Sequence, residues 1–521
     1  MFMHENDLTK QEIKDRASRG ALSIFTRHAV VRGLAFLGTL VLARLVSPES
    51  FGLFAICQFT LTLASALCIG GIGSALVRRK EVVDGQDLRT ALLMQQILVL
   101  TSVISVVILS PTISRAFGLG DAGVWPLRVM ICVLLLLSLK SIPNIMLQRA
   151  LRHDLIAVSE ILEYLTYAIV AVSLAYFLDM DIWALVIAII ARQSVSVIFL
   201  YFVSHQPLAI GLSRDRVNSI LKVAIPLQAS ILMDLSIRSV VPIFIGQQLG
   251  VAAVGIAAMS VTILDSLLLQ PLTLLASVQF RVLAQAQDNL ARVRQILGQC
   301  YFMGAALFLP ALIFVAIIGP TALPVLLSQK WAATGELIQW LALAVAIQLI
   351  SSPIAQAVKA VGLLRIAFIG SAVNFVLQAT IVLTLSEKLG LSAFALAVAV
   401  GEGTATIIRL SHVHSVAHGA SLLSIVPPLI SALVAGTAWL VWYHFIPLSV
   451  LGLVGGMIFG GTLYALILVF LAGTEVSKYV TWAADATLLR HRTLHANTIY
   501  VAQRLKDLDL VHRLRSTPKD S

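Results

Sequence analysis

The stretch LARLVSPESFGLFAI (42–56) joins two long apolar runs through the six residues SPESFG. Ser47 is a preferred helix N-cap, Pro48 suits the first helical position, and Glu49 complements the positive end of a helix dipole. The stretch therefore predicts a tight turn between two long apolar helices. Arg44 lies at the edge of the first run, and its long side chain can place its charge in the polar surroundings of this turn. Its location alone therefore indicates no function.

Composition supports a chain that is surrounded by lipid. The 521 residues are 59% hydrophobic and only 12% charged, and the mean hydropathy is +0.93. Soluble domains carry about 25% charged residues, and apolar runs of about 20 residues can cross a bilayer as helices. The sequence predicts an all-α polytopic membrane protein with about fourteen transmembrane helices, at 23–46, 52–77, 88–110, 124–143, 154–177, 182–203, 219–246, 251–276, 296–319, 337–358, 364–385, 390–411, 422–445 and 449–472.

The placement of lysine and arginine predicts the orientation of these spans. With the N-terminus inside, the outward loops contain only Arg115, Lys330 and Lys388. The remaining loop bases, with Lys140 and Arg409 counted among them, then fall on the inner side. Basic loops of membrane proteins face the cytoplasm, so both termini are expected there. The net charge of +11 is accordingly assigned to loops near anionic lipid rather than to nucleic-acid binding.

A second stretch, LGVAAVGIAA (249–258), is similar to VSPESFGLFA (46–55) and aligns Gly255 with Gly52. Both stretches follow the first span of a set of six. This echo indicates two six-helix lobes in parallel orientation, a plan common among transporters. The predicted organisation is a cytoplasmic N-terminal segment, an N-lobe, a C-lobe, two further C-terminal helices and a basic amphipathic cytoplasmic tail, at 1–22, 23–210, 211–415, 416–472 and 473–521.

Three segments, LARLVSPESFGLFAI (42–56), GIGSALVRRKE (71–81) and SIPNIMLQRALRHD (141–154), resemble the Wzx-type polysaccharide flippases. This family belongs to the multidrug/oligosaccharidyl-lipid/polysaccharide exporter superfamily, together with MATE exporters and lipid II flippases. The resemblance implies two lobes around a central cavity and alternating access. It also implies an undecaprenyl-pyrophosphate-linked oligosaccharide as the substrate, for exopolysaccharide, capsule or lipopolysaccharide O-antigen synthesis.

Four arginines within or near apolar spans are candidate substrate contacts: Arg27, Arg32, Arg192 and Arg238. A charge inside the bilayer costs about 3 kcal/mol or more, and such residues usually face protein or a water-filled cavity. Arginine stays protonated and binds phosphate oxygens in a fork, which suits a pyrophosphate. For Arg238 a structural alternative is open, because Asp234 lies four residues earlier on the same helix and can pair with it.

Three acids within spans are candidate ion-coupling residues: Asp234, Asp265 and Glu402. Vectorial transport needs groups whose protonation or sodium binding differs between states, and buried carboxylates can provide them. Glu402, between glycines near the middle of its span, is the foremost of the three. A purely structural carboxylate, satisfied by neighbouring Ser and Thr, is an equal alternative. No cofactor is expected apart from H+ or Na+ as the coupling ion.

Two other functions are open at the level of sequence. A MATE-like small-molecule exporter has the same span layout, although the candidate arginines favour an anionic substrate. A membrane polysaccharide polymerase or ligase is expected to have a large outward loop, and the outward loops here are short. A glycine-rich ATP-binding loop is absent from the sequence, so no self-contained ATP-hydrolysing site is visible. The resemblance to the polysaccharide flippases implies a transporter rather than an enzyme. A polysaccharide polymerase and a chain-length regulator are candidate partners.

Overall fold

The structure, a computed structural model, describes residues 33, 36–70, 72, 85–150, 152–204, 211, 213, 217, 244–412, 422–446 and 449–487. Twelve helices within these residues are long and apolar enough to cross a membrane, and Phe36–Leu45 forms a shorter apolar helix. Of the predicted spans, 23–46 lies partly and 219–246 lies almost wholly outside the described residues. The predicted all-α fold of about fourteen helices is confirmed.

The N-lobe contains six described helices, and the second of them begins where the turn chemistry predicts. The Ser47 side chain accepts a hydrogen bond from Ser50 N at 3.2 Å, and Pro48 is the first helical residue. The bounds are α1 Phe36–Leu45, α2 Pro48–Ser65, α3 Gly85–Ala116, α4 Val124–Arg149, α5 His153–Phe177 and α6 Asp181–Ser204.

The C-lobe repeats this plan from its second span onward, since its first predicted span, 219–246, lies almost wholly outside the described residues. Its long described helices are α7 Val251–Leu264, α8 Gln270–Gln285, α9 Leu290–Leu326, α10 Ala332–Ala360, α11 Leu364–Leu389 and α12 Ser392–His412. A π-helical turn, Asp265–Leu269, joins α7 to α8 in one span, and a similar turn, Ala66–Gly70, follows α2. Such turns locally widen a helix and often occur at functional positions.

Helix packing is equivalent in the two lobes. In the N-lobe α6 packs closely against both α4 and α5, while α4 and α5 make fewer contacts with each other. In the C-lobe α12 packs in the same way against α10 and α11. This equivalence allows residues of the two lobes to be compared position by position.

Two further helices, α13 Val426–Phe445 and α14 Val450–Thr487, form a hairpin on α9. The two helices of the hairpin approach each other closely because glycines of α14 lie against aromatic side chains of α13. A Cβ at Gly460 would overlap the Trp439 indole, and one at Gly456 would overlap the Tyr443 hydroxyl. Helix α14 has non-helical backbone angles at Ala472, the residue predicted to end the span, and then continues.

Candidate functional site

The two lobes touch where α2 crosses α7. A Cβ at Gly52 would overlap the carbonyl oxygen of Val251 and lie 2.9 Å from Gly255 N. A Cβ at Gly255 would in turn overlap the carbonyl oxygen of Pro48 and lie 2.9 Å from Gly52 N. Gly52 and Gly255, which align in sequence, therefore lie face to face. Glycine is required at both positions because the two backbones are in contact.

Hydrogen bonds also join the two lobes at the end of the molecule where α2 crosses α7. Arg44 of α1 donates from Nε to Leu326 O at 2.9 Å and from Nη2 to Val325 O at 3.0 Å. These are the last carbonyls of α9, where the helix dipole favours a cation. Lys330 Nζ donates to Arg44 O at 3.0 Å, and the buried Trp331 indole donates to Ala43 O at 2.6 Å. We call these contacts, with the Gly52–Gly255 crossing, the interlobe junction.

The junction lies at the end of the molecule that is predicted to face outward. The α1–α2 turn also contacts the start of α6, because Ser47 N donates to Asp181 Oδ1 at 3.2 Å. Segments assigned to four different outward turns, around Ser47, Asp181, Val251 and Lys330, thus meet at one end. In this state the two lobes are joined there.

Replacing Arg44 by Gln is expected to loosen the junction. The change removes a cation from the carbonyl end of α9, at a cost of about 1–2 kcal/mol, or roughly a tenfold shift in population. Spin labels can be placed at Glu49 and Gln329 in a variant without native cysteines. In Arg44→Gln, a larger fraction of molecules should have a long distance between the two labels. Arg115→Gln is the matched control and should leave the distances unchanged, because among the described residues Arg115 donates only to Pro111 O of its own helix. Unchanged distances in Arg44→Gln would show that Arg44 does not hold the lobes together.

A cluster of charges lies between α4, α5 and α6 in the N-lobe. Lys140 Nζ of α4 forms a hydrogen-bonded ion pair with Glu163 Oε1 of α5. Ser196 Oγ of α6 donates to the same oxygen at 2.7 Å. Arg192 Nη2 lies 4.0 Å from Glu163 Oε2, and its guanidinium carbon is 5.8 Å from the ring centres of both Tyr164 and Tyr167. We call this group the N-lobe cluster.

A second polar cluster lies between α10, α11 and α12 in the C-lobe. Ser351 Oγ donates to Glu402 Oε2 at 3.0 Å, and Asn374 Nδ2 donates to Glu402 Oε1 at 2.9 Å. Arg409 Nη1 donates to Ser351 Oγ at 2.8 Å and lies 3.9 Å from Glu402 Oε2. Gln378 Nε2 donates to Asn374 Oδ1 at 2.8 Å. This C-lobe cluster holds one acid and one base in a hydrogen-bonded network.

The predicted site residues are distributed among separate parts of the molecule. Arg192 belongs to the N-lobe cluster and Glu402 to the C-lobe cluster. Asp265 opens the π-helical turn after α7 and accepts a hydrogen bond from Gln270 Nε2 at 3.1 Å. The other predicted residues lie outside the described residues: Arg27, Arg32, Asp234 and Arg238. The assignment of these residues to substrate or ion stays a prediction.

Sequence reasoning missed the partners that complete each cluster. Lys140 and Arg409 were assigned to inner loops, but Lys140 lies within α4 and forms an intramembrane ion pair, and Arg409 is buried at 6% exposure. Lys140 lies inside the apolar run 124–143, which was the available signal. No comparable signal identifies Arg44, whose contacts come from a helix far along the chain.

A family model described as "Polysaccharide biosynthesis protein" matches residues 41–336, more than half of the chain. The chain belongs to this family. The matched residues include both glycines of the interlobe junction and all of the N-lobe cluster. Curated proteins were also compared, and none matches the chain in sequence.

Solved structures of transporters share the fold. The lipid II flippase MurJ, in an inward closed conformation, is 14% identical, with a TM-score of 0.71, over 86% of this chain and 98% of MurJ. An inward-facing multidrug resistance MATE family transporter of the MOP superfamily is 17% identical, with a TM-score of 0.59, over 74% of this chain and 94% of the transporter. This member of the polysaccharide biosynthesis family therefore has the fold of a multi-pass membrane transporter of the flippase and exporter type.

Proposed function

We propose that the protein is a flippase that carries undecaprenyl-pyrophosphate-linked oligosaccharide repeat units from the cytoplasmic to the periplasmic leaflet of the bacterial inner membrane. Membership of the family supports a role in polysaccharide biosynthesis. The fold shared with a lipid II flippase supports a lipid-linked substrate. The repeat units would serve exopolysaccharide, capsule or O-antigen synthesis, with a polymerase and a chain-length regulator as partners.

The observation that carries the alternating-access part of the proposal is the interlobe junction. It consists of a glycine crossing and a few hydrogen bonds, which can separate without unfolding either lobe. In the predicted orientation the junction closes the outward side, so this state receives substrate from the cytoplasmic leaflet. Separation of the junction then opens the outward side, where the headgroup is released.

The N-lobe cluster favours an anionic substrate over the cationic drugs expected for a MATE-like exporter. It contains two bases, Lys140 and Arg192, for one acid, Glu163. The oligosaccharide and pyrophosphate must cross the membrane interior, whereas the polyprenyl tail can stay in lipid. Cationic side chains on the path offset the cost of moving the phosphate charge. Arg27, Arg32 and Arg238 are proposed as further contacts along this path.

The C-lobe cluster is the proposed coupling site. Glu402 accepts hydrogen bonds from two neutral donors, Ser351 and Asn374. A group of opposite charge also lies nearby, because Arg409 Nη1 is 3.9 Å from Glu402 Oε2. H+ or Na+ can compete with Arg409 for this carboxylate. Asp234 and Asp265 are the remaining candidates for coupling.

The function is tested in a strain that lacks this protein and any redundant flippase. We expect loss of surface polysaccharide together with accumulation of lipid-linked repeat units in the inner leaflet, and rescue of both by the wild-type chain. A strain that makes normal polymer without accumulating intermediates would overturn the proposal. It would direct the search to small-molecule export.

A further inference from the structure

The turn between α9 and α10 contains a strained residue, Ser328. Its φ of 150° and ψ of 169° fall in a backbone region that is essentially restricted to glycine. Ser328 precedes the short 3₁₀ turn Gln329–Trp331, at a position where a serine hydroxyl ordinarily accepts a hydrogen bond from one of the backbone N–H groups that follow. Here the hydroxyl caps none of them, and its oxygen is buried without a hydrogen-bond partner among the described residues. Ser328 therefore carries two costs, a strained backbone and an unsatisfied hydroxyl.

The corresponding turn of the N-lobe has a glycine at this position. It joins α3 to α4, and its 3₁₀ turn Asp121–Gly123 runs directly into α4, as Gln329–Trp331 runs into α10. The residue before it, Gly120, has a φ of 61°, which glycine adopts without steric cost. Since α4 and α10 have equivalent places in their lobes, Gly120 and Ser328 are equivalent residues. A turn of this kind accommodates glycine, so the strain in the C-lobe comes from the serine.

Contacts with the N-lobe hold the α9–α10 turn on both sides of Ser328. Before it, two carbonyl oxygens at the end of α9 accept hydrogen bonds from Arg44. After it, the fully buried Trp331 donates to Ala43 O and packs edge-on against Phe51, with ring centres 5.6 Å apart. A strained conformation persists only where its surroundings impose it. Because these contacts join the two lobes, the strain at Ser328 is imposed while the interlobe junction is closed.

We propose that the α9–α10 turn is a strained latch, which raises the free energy of the closed junction and so favours its opening. In the open state Trp331 leaves the N-lobe, Ser328 relaxes to an ordinary backbone conformation, and its hydroxyl gains a hydrogen bond to water or to the following backbone. The latch thus limits the stability of a state that a transporter must leave in every cycle. This benefit for transport rests on the proposed function, whereas the equilibrium between closed and open junction does not.

Substitutions of Ser328 are expected to shift that equilibrium in a graded order. Ser328→Gly removes both costs and should raise the ratio of closed to open molecules by roughly tenfold. Ser328→Ala removes only the unsatisfied hydroxyl and should raise the ratio by a smaller factor. The ratio is measured on the purified full-length protein, without native cysteines, as the distribution of distances between two spin labels. The labels are placed at Glu49 of α2 and Glu387 of α11, which are exposed near the outward ends of the two lobes.

Asp179→Gly is the matched control. Asp179 also has a positive φ, of 52°, and lies in the outward turn between α5 and α6. Because this turn connects two helices of one lobe, relief of strain there should leave the interlobe distances unchanged. A shift in Asp179→Gly as large as that in Ser328→Gly would assign the effect to general backbone flexibility and would overturn the latch.

Each Ser328 variant is measured both alone and together with Arg44→Gln, in which the junction is expected to be looser. Ser328→Gly should restore much of the closed population to Arg44→Gln, which gives a measurable shift even if the wild type is almost fully closed. The latch is contradicted if neither Ser328→Gly nor Ser328→Ala has a larger closed fraction than its parent in either background. These distances are measured without substrate. A graded shift in a chain that fails to rescue the deletion strain would therefore contradict the proposed function alone.

Discussion

Replacing Gly52 by Val is expected to abolish transport by preventing closure of the interlobe junction. The new Cβ would overlap the carbonyl oxygen of Val251. Because the opposing atoms belong to the backbone, they cannot rotate away as a side chain does. Overpacking of this kind costs about 3 kcal/mol, which corresponds to a roughly hundredfold shift away from the closed junction. Gly255→Val should have the same effect, because the crossing is symmetric.

Water access to the junction is the direct measurement. Val254 is fully buried beside Gly255, so Val254→Cys in a background without native cysteines reports separation of the lobes. A membrane-impermeant maleimide should label this cysteine much faster in the Gly52→Val variant. Gly461→Val is the matched control, since a Cβ at Gly461 in α14 meets no described residue within 4 Å, and it should change neither labelling nor transport. Slow labelling and normal polymer in Gly52→Val would show that the junction does not gate the protein.

Much of the fold follows from the sequence because the bilayer imposes length and polarity on each span. The predicted span 154–177 corresponds to His153–Phe177, and 182–203 corresponds to Asp181–Ser204. The sequence similarity that aligns Gly255 with Gly52 predicted that the chain contains two repeated halves. It did not predict that the two glycines touch, because a repeat specifies equivalent positions and not how the two copies are placed against each other.

The clusters were less predictable because they depend on the register between helices. Arg192 and Glu402 stood out as charges in apolar runs, yet their partners, Lys140 and Arg409, were assigned to loops by the rule that places bases at the inner surface. Lys140 pairs with Glu163 only because α4 and α5 place them at the same depth against α6. A hydropathy pattern records which residues enter the membrane. It does not record which faces of neighbouring helices meet.

Replacing Glu402 by Gln is expected to destabilise the protein and to remove its response to an ion gradient. Arg409, buried at 6% exposure, would then lack its acidic partner. Removing one partner of a buried pair costs about 3 kcal/mol or more, so that the melting temperature and the amount of folded protein should fall. Loss of transport in this variant alone would therefore not distinguish a structural carboxylate from a coupling one.

The double variant Glu402→Gln/Arg409→Gln separates these two roles. Two neutral amides remove the uncompensated charge and can keep hydrogen bonds to Ser351 and Asn374, so that most of the lost stability should return. The measurement is movement of a labelled polyprenyl-pyrophosphate lipid in proteoliposomes, with and without an imposed H+ or Na+ gradient. We expect the double variant to equilibrate the lipid but not to respond to either gradient, because the carboxylate that would bind H+ or Na+ has been replaced by a neutral amide. A stable double variant that still responds to a gradient would assign Glu402 to structure and would move the coupling site to Asp265 or Asp234.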